Sequence, residues 1–174
     1  MNLYFIAIAP QQELSEKIRS ISKDFAERFE SVKAFNNFPH ITIIPPFKFP
    51  EEKEDLLLNN FSYIKLDESA FELELNSFQT FANRRNPVIY IHPEYSEPLN
   101  RLYNELNEFF YFTPYKNFHP HITVAYRDLT PENFEKAWEE YQHKPFNEKF
   151  VVNTVGIYKF TNNKWKLMRE ISLR

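Results

Sequence analysis

One short string occurs twice in this chain, FPHITI at residues 38–43 and HPHITV at 119–124, and each copy lies inside a longer repeat. The two histidines stand 121 − 40 = 81 positions apart. The same offset carries Pro50-Glu51 onto Pro131-Glu132. Both pairs open segments of helical apolar spacing, Leu57, Phe61 and Ile64 in one and Phe134, Ala137, Trp138 and Tyr141 in the other. Upstream of each motif comes an apolar strand and then a helix: LYFIAIA (3–9) before Leu14, Ile18, Ile21, Phe25 and Phe29, and VIYI (88–91) before Leu99, Leu102, Leu106 and Phe109. Downstream, FELELNSF (71–78) resembles KFVVNTV (149–155), with Asn76 against Asn153 and a break between strands around Asn76-Ser77. Each lobe therefore reads strand, helix, His-Ile-Thr strand, helix, strands. A closing hairpin turns at Thr161-Asn162-Asn163. This order predicts an α+β fold of two antiparallel-rich sheets, duplicated as lobes of about 1–85 and 86–174. The lobes join near Asn83-Arg84-Arg85-Asn86-Pro87, and at 174 residues they make one domain, 1–174, expected to be a monomer.

Strand geometry says what the motif presents. Side chains at i and i+2 leave the same face, so His40 stands beside Thr42 and His121 beside Thr123. A proline before each histidine lacks a backbone donor and has a fixed φ, as suits the edge of a strand.

Composition removes several function classes. Gly156 is the only glycine, so the glycine-rich phosphate loops of Rossmann and Walker sites are excluded. Without cysteine there is no disulfide framework, thiol nucleophile or cysteine-zinc site, which is compatible with the cytoplasm expected here. LYFIAIA lacks a basic leader and runs straight into Pro10, so it reads as a strand, and no apolar run approaches the ~20 residues of a membrane span. With a formal net charge of −3 the chain has no global basic field for duplex DNA. Lys48, Arg84, Arg85, Lys116 and Arg127 nevertheless fall near predicted strand ends around the motifs, which fits a short phosphorylated ligand.

Two imidazoles suit displacement at phosphorus. With a pKa near 6.5, one ring can act neutral as a general base while the other, protonated, acts as a general acid. Threonine hydroxyls can hold the non-bridging oxygens as charge builds, and no metal is required. Duplicated lobes would set the histidines on opposite sides of the phosphate.

The two His-Ile-Thr motifs, their spacing and the duplicated strand-helix order resemble the two-histidine (2H) phosphoesterase superfamily, over essentially the whole chain. That superfamily includes the bacterial RNA 2′,3′-cyclic phosphodiesterases once called 2′-5′ RNA ligases. The resemblance implies a bilobal fold with a central cleft and helices packed outside each lobe. It also implies His40, Thr42, His121 and Thr123 as catalytic residues, and a reaction that opens a 2′,3′-cyclic phosphate to a 2′-phosphate without a cofactor. It suggests His121 as base and His40 as acid. The local sequence agrees, since His119, Lys116 and Arg127 surround His121 and would lower its pKa. Where many relatives read HITLAR this chain reads HITVAYR, so Tyr126 stands at the usual arginine position and Arg127 one later. In a regular strand Arg127 would share the face of His121 and Thr123.

Further candidates surround the motifs. Lys48 and Arg127 are candidates for phosphate contact, and Phe47, Tyr115, Phe118 and Tyr126 for contact with the rest of the substrate; in a chain that is 18% aromatic, core packing competes for each ring. His119 with His121 and His40 forms an alternative metal triad, although Pro120 distorts that edge and no carboxylate is near. Three functions follow in order: a cyclic phosphodiesterase acting on an RNA 3′ end or a small cyclic nucleotide (ADP-ribose cyclic phosphate included), a 2′-5′ RNA ligase or tRNA-processing activity, and a non-catalytic nucleotide-binding module.

Overall fold

The structure is a computed structural model and describes residues 1–81, 85–111 and 117–174. Its elements, in chain order, are β1 (Asn2–Ile8), α1 (Gln12–Phe29), β2 (Ile41–Phe49), a 3-10 turn (Glu51–Lys53), α2 (Glu54–Ser62), β3 (Phe71–Phe81), β4 (Val88–Pro93), α3 (Glu97–Phe109), β5 (Ile122–Ala125), α4 (Pro131–Tyr141), β6 (Asn147–Val152), β7 (Thr154–Thr161) and β8 (Lys164–Ser172). The α+β class and the order of elements are as the sequence predicts. Instead of two sheets, the strands form one, ordered β6-β3-β4-β5-β2-β1-β7-β8, with every pairing antiparallel. Its two halves meet at β2 and β5 through a single register pair, Ile41 opposite Ile122. A seam that thin is invisible to periodicity.

Helix positions follow from local chemistry. Ser96 and Thr130 cap α3 and α4, each accepting a hydrogen bond from a backbone N–H three residues on, with Pro98 and Pro131 in the first turns. The predicted stripe of α1 is buried at Leu14, Ile18, Phe25 and Phe29, and that of α3 at Leu99, Leu102 and Leu106. Pro50 opens the 3-10 turn rather than α2 itself, and Ile64 lies beyond the end of that helix. All four helices cover one face of the sheet, where their stripes and the inward residues of the strands make a continuous core. The other face carries a smaller cluster of Phe5, Ala7 and Tyr158 with Phe38 and Trp165 against it. Among the described residues no helix is long and apolar enough to cross a membrane.

The halves of the sheet do not divide at residue 85. β3, from the first repeat, pairs with β4 and β6, whereas β7, from the second, pairs with β1. The expected break at Asn76-Ser77 is a bulge in one long strand, with Ser77 at φ 58° and a register shift between Asn76 and Phe78. At the equivalent Asn153 the chain does break, separating β6 from β7.

Candidate active site

The seam between β2 and β5 fixes the motif residues. Ile41 and Ile122 are fully buried in the core, so His40, Thr42, His121 and Thr123, one position away on either side, leave the open face. Continuing the 41–122 register by one residue sets His40 across from Thr123 and His121 across from Thr42. All four line one cavity of about 730 Å³.

The same backbone device holds each histidine. His40 Nδ1 lies 2.7 Å from the carbonyl oxygen of Phe38, and His121 Nδ1 lies 2.6 Å from that of His119. A carbonyl only accepts, so Nδ1 carries the proton and Nε2 is the nitrogen left for the cavity. The intervening proline, unable to donate, helps leave the carbonyl two residues back to the ring. Aromatic rings then pin each imidazole: Phe38 and Phe5 at 4.7 and 5.0 Å from His40, and Phe81 and Tyr90 at 5.0 and 5.4 Å from His121, the latter two edge-on.

Burial lowers the basicity of both rings. His40 is pushed down to about 4, chiefly because the protonated ring would lose its water, with a smaller contribution from His121. His121 is lowered too, by burial first and then by His119. This corrects the expectation that positive neighbours would make His121 the less basic ring. The apolar wall of Phe5 and Phe38 has the larger effect, and His40 is the more displaced.

The substrate-contact candidates separate. Tyr126 and Arg127 both line the cavity, but not by strand alternation, because β5 ends at Ala125. Arg127 instead sits in a turn at φ 63°, closed by a hydrogen bond from the Asp128 N–H to the Tyr126 carbonyl, with its guanidinium 5.4 Å from the Tyr126 ring. Phe47 faces the core, packed against Tyr4 and Phe110, as its odd position relative to His40 requires. Lys48 is exposed and pairs with Leu3; Leu3 lines the cavity and Lys48 does not. Phe118 stacks on Tyr103 at 4.3 Å. Tyr115, Lys116 and Arg84 lie outside the described residues. Among those described, no cluster of three or more histidines and carboxylates is arranged to hold a metal ion.

The structure adds residues that the sequence did not single out. Lys33, Asn36 and Asn37 reach the cavity from the loop after α1, and Phe160, Asn163, Lys164 and Trp165 from the β7–β8 hairpin. Lys33, Arg127 and Lys164 take part in no ion pair among the described residues, and the cavity lining contains no carboxylate. In a chain with 24 acidic residues that is a selective absence, and it leaves the described cavity lining with a positive charge balance. Asp128 lies just behind. Its carboxylate accepts from the buried Ser31 hydroxyl at 2.8 Å and from the Val32 and Lys33 N–H groups at 2.9 and 3.0 Å, tying the Lys33 loop to the Arg127 turn. Only the adjacency of Asp128 to Arg127 could have signalled this.

The sequence profile of the 2′-5′ RNA ligase superfamily matches residues 8–164, most of the chain and both motifs. The chain belongs to this superfamily. Its curated relatives include putative phosphoesterases from Staphylococcus saprophyticus (23% identical, covering 97% of each chain) and Bacillus cytotoxicus (24% identical, covering 93% of this chain and 91% of the relative). Among solved structures it is similar to apo LigT of E. coli, with a TM-score of 0.70 at 23% identity over 99% of this chain and 97% of LigT. It is also similar to the Thermus thermophilus protein TT0787, with a TM-score of 0.68 at 20% identity over 100% of this chain and 98% of that one. The superfamily member described here thus has the LigT-like fold, with the two histidine motifs side by side at the seam of the sheet.

Proposed function

We propose that this protein is a cyclic phosphodiesterase that opens a 2′,3′-cyclic phosphate to a 2′-phosphate, using His40 and His121 as its acid-base pair. One observation carries the reading: two imidazoles of the same tautomer, with Nδ1 bound to the backbone and Nε2 left for the cavity, line one pocket that among the described residues has no carboxylate and three cations without an ion-pair partner. The reacting phosphodiester carries one negative charge, which raises the basicity of both rings and lets one of them take up from solvent the proton that burial withholds in the free site. One imidazole takes a proton from the attacking water as its oxygen bonds to phosphorus. The P–O3′ bond breaks, and the other imidazole delivers its proton to the departing oxygen. Thr42 and Thr123, across the seam from the opposite histidines, donate to the non-bridging oxygens as charge builds. Both proton transfers are supplied by side chains, so the scheme needs no metal.

The assignment of His121 as base and His40 as acid rests on the family pattern alone, since local charge does not favour it. E. coli LigT, of the same fold, has been solved with 3′-AMP and with phosphate, which supports a nucleotide in this cleft. The test is turnover of 2′,3′-cyclic nucleotides and cyclic-ended oligoribonucleotides, with products read by phosphorus NMR. A 2′-monophosphate is expected; a 3′-monophosphate, or binding without turnover, would overturn the reading.

A further inference from the structure

The reacting phosphate is met by the motif residues, yet the cavity extends well past them. At about 730 Å³ it lies in the upper part of the range for small-molecule sites, roughly 300–1,000 Å³. Its far wall is the β7–β8 hairpin, which turns through Asn162 and Asn163, at φ 50° and 59°. Consecutive left-handed residues make the tight turn that fits the twist of a hairpin, and asparagine tolerates that conformation. The turn sets Lys164 at the mouth of the cavity, exposed and without an ion-pair partner among the described residues.

Beside Lys164 stand two aromatic rings on the cavity side. Phe160 is 41% exposed, unusual for a phenylalanine, and pairs across the hairpin with Trp165, their rings 5.1 Å apart. Trp165 is anchored from below, edge-on to Phe5 at 4.4 Å, and Phe5 lies 5.0 Å from His40. The two outer rings are therefore less than about 10 Å apart, a reach on the order of one nucleotide unit. A cyclic mononucleotide brings one negative charge and one base, and its phosphate is occupied at the histidines. The base of that nucleoside is within reach of Trp165, but Lys164 meets no phosphate, and the outer Phe160 no base, unless the ligand continues.

We propose that the β7–β8 hairpin is a second-nucleotide subsite, in which Lys164 meets a further phosphate and Phe160 with Trp165 stacks a further base. This rests on the cyclic phosphodiesterase reading and names its substrate class: a cyclic phosphate attached to a second nucleotide, as at an RNA 3′ end, rather than a free cyclic mononucleotide. A cation beside aromatic faces is the usual construction for single-stranded nucleic acid, because every base has a π-face and every linkage a charge.

The test is the ratio of kcat/KM for a cyclic-ended diribonucleotide to that for the matching 2′,3′-cyclic mononucleotide, in the intact protein and in the double variant Phe160→Ala, Lys164→Ala. Both residues are exposed, and an unchanged melting temperature checks the fold. The ratio should favour the dinucleotide and should fall roughly 10- to 100-fold in the variant. Lys164→Arg should restore part of it. An unchanged ratio overturns the subsite. ADP-ribose cyclic phosphate forms a third arm: a loss confined to it would overturn the RNA-end assignment. If the intact protein turns over none of these, the reaction is wrong, and the subsite is judged by binding. Weaker binding of a 3′-phosphorylated dinucleotide by the variant, at equal affinity for a nucleoside 3′-monophosphate, would support it, and equal binding of both would overturn it.

Discussion

The two sides of the seam carry the same motif in different surroundings. Around His40 the neighbours are Phe5 and Phe38, which themselves pack on Tyr158, an apolar wall continuous with the hairpin. Around His121 they are the edges of Phe81 and Tyr90, the exposed His119 and the Arg127 turn. The hydrogen bond that sets the tautomer is common to both, so ring orientation is fixed by the backbone while basicity is set by what packs against the ring. A duplicated motif thereby gives two like-shaped groups of unlike proton affinity, as acid-base catalysis requires.

The strongest attack on that comparison removes one ring at a time. His40→Ala and His121→Ala should each lower kcat by about 10² to 10⁴ with the fold intact. A nitrophenyl phosphodiester, whose leaving group needs little protonation, should rescue whichever variant has lost the acid. By the family pattern that is His40→Ala; preferential rescue of His121→Ala would exchange the roles and agree with the deeper burial of His40. Next come the hydroxyls. Thr42→Val and Thr123→Val should cost roughly 10 to 10³ in kcat, and a wide difference between them would show that the seam is not used symmetrically.

Asp128→Asn tests the strap behind the Arg127 turn. Loss of a charged acceptor for three donors should lower stability by about 1–3 kcal/mol. If the strap positions Lys33 and Arg127, KM should rise severalfold while kcat changes little; a fall in kcat alone would contradict that.

Acid titration reads the asymmetry directly. His40 has a pKa of about 4 when folded against about 6.5 unfolded, so between these values the unfolded chain binds more protons. Its contribution is fully present above pH 6.5 and is lost as pH falls through 4, about 3 to 4 kcal/mol in all; His40→Gln should flatten this slope in denaturant melts across pH 4 to 7. The lowered pKa values of the free site also predict a bell-shaped kcat/KM profile with its optimum on the acid side of 6.5, and a kcat profile displaced upward by the bound anion. The smallest expected effect is none at all. Excess EDTA should leave activity unchanged, whereas loss restored by zinc would revive the His119 triad.

The order of elements, the helix faces, the hairpin turn and the pairing of histidine with threonine on one face were legible because they depend on periods of 2 and 3.6 and on local turn chemistry. What escaped depended on distant contacts. Phe160 and Trp165 reach the cleft only because β7 pairs with β1, more than 140 positions away in sequence, and Lys33 only through the Asp128 strap. Arg127 was expected to alternate along a strand that ends two residues earlier, and the positive φ that turns it is not written in an arginine. The basicity order failed for a related reason: charged neighbours are visible in sequence, whereas the aromatic wall that desolvates His40 includes Phe5, from another strand.

The crossing of β3 and β7 into opposite halves of the sheet has a consequence for how such a molecule can be divided. β3 has both its neighbours, β4 and β6, in the second repeat, and β7 reaches back to β1 in the first. Cutting the chain between the repeats would strip β3 of every partner and leave β1 with one bare edge. The halves are clasped like folded arms, so the chain should melt as one cooperative body, and severed halves should be recovered as a working enzyme only when mixed.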